Sequence, residues 1–110
     1  MCTQNDAIKI MHETRKMCNE LFPVREAYLY GSYARGDFHP ESDIDILITA
    51  DILPEDISKF RRQVALITSE LSLENDVTVS VTVKPDEQFK RFSEAMPFYK
   101  NVKTEGIRYA

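Results

Sequence analysis

With 110 residues, the chain has room for one domain built around one substantial core. Its 43% hydrophobic and 29% charged residues are ordinary for a globular protein. A net charge of −4 argues against broad wrapping of nucleic acid, which needs a basic face. A small nucleotide that arrives with its own cation stays compatible with that charge. No apolar run approaches the roughly 18 residues of a membrane-spanning helix. The N-terminus Met1-Cys2-Thr3-Gln4-Asn5-Asp6 has neither a basic nor an apolar leader region, so a cytoplasmic location is expected. Cys2 and Cys18 are too few for a disulfide framework. Their spacing with His12 and His39 matches no zinc pattern. Cys18 reads as a small apolar residue on a helix.

The elements follow in chain order. Asn5 to Phe22 reads as a helix, capped by Asn5 or Asp6 and stopped by Pro23. Ala27 to Tyr30 is a short strand ended by Gly31. Ser32 to Arg35 is a helical turn closed by Gly36 as a left-handed cap. Asp43 to Thr49 is a second strand. Asp51 to Pro54 opens a helix with the proline near its first turn, and it carries Ile57, Phe60, Val64, Ile67 and Leu71 at helical spacing, a stripe read as core rather than as a binding groove. Asp76 to Val83 alternates valines with polar residues, the pattern of a half-buried strand. Pro85 to Met96 is a last helix with Phe89, Phe92 and Met96 inward, broken by Pro97. The tail from Phe98 to Ala110 is expected to pack back. This order predicts an α/β (α+β) fold in a single domain over residues 1–110, with a mixed three- to four-stranded sheet and helices packed on one face.

The chemistry concentrates between Gly31 and Asp45. Asp43 and Asp45 share one face at the start of a strand, with Cα atoms about 6.6 Å apart. Such carboxylates can converge on one hard cation or on two. Asp76, opening the third strand, is the candidate third acid of a two-metal site. Gly31 lets the backbone come close to a ligand, Ser32 adds a hydroxyl, and amides at the start of the following turn favour anions. Arg35, one turn on, can reach a phosphate oxygen. These groups suit a nucleoside triphosphate. Alone, a Gly-Ser turn or an Asp-x-Asp pair is explained as readily by a turn or by solvated acids. Other Asp-x-Asp chemistries are separated by order along the strand. Haloacid dehalogenase-type phosphatases and many glycosyltransferases place the acids after the apolar run, whereas Ile46, Leu47 and Ile48 follow them here. No Gly-Lys-Ser/Thr completes a P-loop, and the ligand ladder of an EF-hand is missing.

Gly31-Ser32, ten intervening residues, then Asp43-Ile44-Asp45 resembles the signature of the DNA polymerase β-like nucleotidyltransferases. The wording from Leu29 to Gly36 and from Ser42 to Ile46 is similar to their minimal members. The resemblance implies Mg²⁺-dependent transfer of a nucleoside monophosphate from an NTP, with ATP expected, to an acceptor hydroxyl, releasing pyrophosphate. It implies Asp43, Asp45 and Asp76 as catalytic and metal-binding residues, two metal ions, and Gly31, Ser32 and Arg35 as the phosphate-binding set. It also implies a protein acceptor, with a HEPN-domain toxin as the partner of an antitoxin-like chain. Two features depart from the pattern. Asn75 precedes Asp76 where an apolar residue is usual, and Thr78 holds the next same-face position. A two-residue shift of register would leave the site without its third carboxylate. The chain also ends without the further domain by which larger members grip an acceptor. An antitoxin-like binding module with a vestigial site is therefore the alternative, and a small-molecule transferase of the aminoglycoside kind is a third reading. Oligomeric state, including a homo-oligomer, stays open.

Overall fold

A computed structural model describes residues 2–109. Helix α1 (Gln4–Asn19) starts at a capping box, in which the Thr3 hydroxyl accepts from the Asp6 amide and the Asp6 carboxylate accepts from the Thr3 amide. The cap is thus Thr3, two residues before Asn5 and three before Asp6, the residues expected to cap it. Strand β1 (Val24–Tyr30) is followed by the short α2 (Ser32–Arg35) and by β2 (Ile44–Ala50). A 3₁₀ helix (Pro54–Phe60) leads into α3 (Arg61–Asn75). Strand β3 (Val79–Pro85), α4 (Asp86–Phe92), α5 (Pro97–Glu105) and β4 (Ile107–Tyr109) complete the chain. Pro97 does not merely break a helix: it begins α5, where its missing N–H costs nothing.

The sheet order is β3-β2-β1-β4. β1 is antiparallel to β2 and to β4, and β2 is parallel to β3. Alternation then divides the side chains between two faces. Ala27, Leu29, Ile44, Ile46, Ile48 and Val79 join Ala7, Ile10, Met11 and Cys18 of α1 and Ile67 and Leu71 of α3 in the larger core. Tyr28 and Leu47 point the other way, into a smaller cluster with Phe89 of α4 and Tyr99 and Val102 of α5. The long helices cover one face as expected. The short C-terminal pair corrects the one-face expectation by covering part of the second. Phe92 and Met96, expected inward, are exposed, because the helix stops at Phe92 and the chain turns before α5. The tail does pack back, through α5 and β4.

The stripe on the central helix is split. Ile67 and Leu71 are buried, whereas Ile57, Phe60 and Val64 are half-buried. They line a groove of about 590 Å³ beside Val79, Val81 and Val83 of β3. Cys18 is buried in the larger core, which pushes its thiol up to about 11.

Candidate active site

Tyr30 is the last residue of β1 and stands opposite Asp45 in β2. The chain must turn at once into α2, and Gly31 makes that turn at φ 76° and ψ −156°, a backbone region nearly closed to other residues. A Cβ at this position would lie 2.5 Å from Oδ2 of Asp45. Glycine is therefore fixed twice, by the backbone and by the carboxylate resting on it. Ala34 and Arg35 amides donate to the Gly31 carbonyl at 3.1 Å. The amides of Ser32 and Tyr33 open the turn and have no carbonyl inside it to bond. Gly36 closes the turn in the left-handed region at φ 89°. The Gln4 side chain of α1 donates to the carbonyls of Tyr33 at 2.9 Å and Ala34 at 3.3 Å, tying the far end of the turn to the body. Tyr33 is buried and stacked on Phe38 with centroids 4.2 Å apart.

Ile44 faces the larger core, so Asp45 faces the other side, and alternation carries the exposed Asp43 to the same rim. Asp45 is half-buried, and its carboxyl is held above the usual range by burial first and by the charge of Asp43 second, with Arg35 pulling the other way. Among the described residues neither carboxylate joins an ion pair. The two carboxyls thus stand together without an ion-paired protein cation, a setting that a divalent ion can neutralise. Arg35 is exposed and engaged by Asp37 at 3.2 Å and by Glu105 of α5 at 3.7 Å. Across the ladder, burial pushes the Tyr30 phenol up and Asp45 adds to this, while the neighbouring Thr82 hydroxyl offsets part of it. Phe98 packs edge-on against Tyr30 at 5.5 Å.

Asp76 does not open β3. It is the exposed C-cap of α3, in the left-handed region at φ 51°, with its amide donating to the Ser72 carbonyl. Aspartate tolerates that conformation better than most residues, so the turn alone explains it. The β ladder sets Ser80 opposite Asp45. The expected three-carboxylate cluster is corrected accordingly: no group of three His, Cys, Asp or Glu side chains suited to a metal occurs among the described residues. Residues that the motif did not single out, Tyr30, Ser80 and Thr82, border the acids instead. The strict alternation of the third strand carried that signal, because its even positions are all polar.

A family profile described as nucleotidyltransferase domain matches residues 11–109. The chain belongs to the nucleotidyltransferase family. Within it, the relatives are of the minimal, MntA-like kind. The putative protein adenylyltransferase MJ0604 of Methanocaldococcus jannaschii is 37% identical over 83 residues, which cover 76% of this chain and 75% of that protein. The protein adenylyltransferase MntA of Thermococcus cleftensis is 31% identical over 84 residues, covering 76% and 84%. A solved toxin–antitoxin structure with AMP-PNP superimposes with a TM-score of 0.54 at 21% identity, over 96% of this chain and 70% of that one. A mutant of the toxin–antitoxin pair MntA-HpeT gives 0.54 at 19% identity, over 96% and 71%. At these identities the likeness is one of fold. No helix among the described residues is long and apolar enough to cross a membrane.

Proposed function

We propose that this nucleotidyltransferase moves AMP from ATP to a hydroxyl group on a protein partner in the cytoplasm, with pyrophosphate leaving. The observation that carries the reading is the Asp45 carboxylate seated on the Gly31 turn, with Asp43 beside it and no protein cation to pair either acid. The names of the relatives, protein adenylyltransferases, support AMP and a protein acceptor. The toxin–antitoxin neighbours support a toxin, of the HEPN kind in this reading, as that acceptor.

Two carboxylates with no cationic partner fit Mg²⁺, which takes one or two carboxylates and completes its shell with phosphate oxygens and water. Asp43 and Asp45 would hold it, and when bound it supplies charge neutralisation at the phosphates. The chain's own groups do the rest. The Ser32 and Tyr33 amides and the Ser32 hydroxyl bind the β- and γ-phosphates and fix their orientation. Arg35 adds positive charge at the rim, tethered by Asp37 and Glu105. Tyr30, wedged between Phe98 and Asp45, limits the water that reaches the buried side of the carboxylate. Asp76 has no part in this reading.

Labelled ATP with Mg²⁺ and the purified partner toxin should label the toxin. Asp43→Ala and Asp45→Ala should each lower the rate by at least about 10²-fold, as expected when transition-state electrostatics are removed. Equal labelling by either variant would refute the assignment. The second reading, an antitoxin that acts by contact alone, is favoured by the place of the expected third acid: Asp76 caps α3, and a hydroxyl, Ser80, stands opposite Asp45. It predicts that Asp45→Ala still binds the toxin and neutralises it fully.

A further inference from the structure

A two-cation arrangement does not fit the residues around Asp43 and Asp45. Such a site holds ions about 3.5–4 Å apart, and with two carboxylates and the phosphates of one nucleotide the second ion has no protein ligand beyond those it would share with the first. A third carboxylate would have to come from a neighbouring strand, on the face that carries Asp45. β1 offers Tyr30 there and β3 offers Ser80, each directly opposite Asp45. One step along β3, Thr82 stands opposite Leu47. In the other direction the Ile44 amide donates to the Thr78 carbonyl at 2.9 Å, which sets Thr78 beside Asp43. The side of β3 turned to the site therefore presents hydroxyls at 78, 80 and 82 and no acid. Asp76 stands three residues before the strand, exposed on the turn after α3.

We infer that this chain holds one divalent cation with its nucleotide, and that Ser80 occupies the place of the ligand that would hold a second. The inference rests on the nucleotide-site reading above. A serine hydroxyl is neutral and a weak ligand for a hard dication, whereas an aspartate at the same Cβ would sit one strand spacing, about 4.8 Å, from Asp45. Position 80 is exposed, so a charged side chain there meets water rather than the core.

The test counts bound Mn²⁺ by electron paramagnetic resonance, with saturating α,β-methylene-ATP, which is uncleavable at the bond that would break. The wild-type chain should hold one ion per bound nucleotide. Ser80→Asp should hold two, and the uncharged Ser80→Asn should stay at one. Two ions in the wild type would overturn the inference. So would a single ion in Ser80→Asp with unchanged circular dichroism and melting temperature. AMP transfer, measured on the same protein preparations with ATP in place of the analogue, separates this inference from the proposed reaction. One ion without transfer refutes the reaction and leaves the inference standing. Transfer with two wild-type ions does the reverse, and no nucleotide-dependent ion refutes both.

Discussion

At the scale of single residues, Asp45 is an acid placed where its ionised form is disfavoured. Burial and the neighbouring Asp43 hold its carboxyl above the ordinary value of 3.8. A carboxyl raised in the folded state keeps its proton to higher pH than it does in the unfolded chain. Its contribution to stability is therefore most favourable below the ordinary value and is lost as pH rises through the raised one. Removing the charge should stabilise the protein where the wild-type acid is ionised. Asp45→Asn is expected to melt at a higher temperature than the wild type at pH 7, and the gap should narrow as the pH falls toward 3.8. In the proposed reading Mg²⁺ binds at Asp43 and Asp45, and a ligand of the folded state stabilises it by linkage, so Mg²⁺ should raise the wild-type melting temperature and leave the variant unmoved. A calorimetric series in pH and Mg²⁺ reads both effects. A gap that is flat with pH, or a variant that melts lower at pH 7, would contradict this account. Gly31 was legible as a turn glycine from its place between an aromatic strand and a hydroxyl. Its second constraint, the carboxylate fourteen residues on that rests against it, needed the register of β1 against β2.

At the scale of elements, α2 is too short to hold itself, since a four-residue helix lies far below the length at which helices are stable alone. It is held by the buried Tyr33 beneath it and by the two bonds that Gln4 donates to the carbonyls of Tyr33 and Ala34. Gln4→Ala removes both bonds but leaves the Thr3–Asp6 cap in place. Amide exchange at residues 34–36 should then speed up about fivefold, the equivalent of about 1 kcal/mol for lost hydrogen bonding. Exchange in β1 and β2 should not change. Uniform acceleration across the sheet would show that Gln4 supports the whole fold rather than the turn. The α2 turn itself was legible, because both of its glycines bracket it. β3 was legible only in part. Its alternation extends in sequence back to Asp76, but the first positions are consumed by the left-handed cap of α3 and its return, through the Asp76 and Val77 amides bonding to the Ser72 carbonyl. Alternation cannot distinguish a strand from the turn that feeds it, and that ambiguity carried the third acid with it. β4 spans three residues, too few for any period to register.

At the scale of the molecule, two cores of unequal size sit on opposite faces of one sheet, and the acids lie on the side of the smaller one. The larger core was readable in part, from the stripe that ends in Ile67 and Leu71 and from the apolar run that follows Asp45. The smaller was not, because its members are one or two residues from each of β1, β2, α4 and α5, where neither C-terminal helix runs long enough to show a stripe. Phe89 is its hub, 1% exposed, with Tyr28 and Tyr99 rings at 5.4 Å and 5.3 Å. Tyr99 touches Phe98, and Phe98 touches Tyr30 beside Asp45. Phe89→Ala should cost about 3–5 kcal/mol, the range for emptying a large aromatic from a core. The loss falls on the face that carries the site, so α4 and α5 should loosen before the main core does. Near-ultraviolet circular dichroism, which here reports tyrosines and phenylalanines because the chain has no tryptophan, should then melt at a lower temperature than the far-ultraviolet helix signal in the variant, and the two should coincide in the wild type. Nucleotide binding should be lost with the earlier transition. A single coincident transition in Phe89→Ala, shifted down as a whole, would show instead that both cores fold as one cooperative unit and that the site draws on all of it.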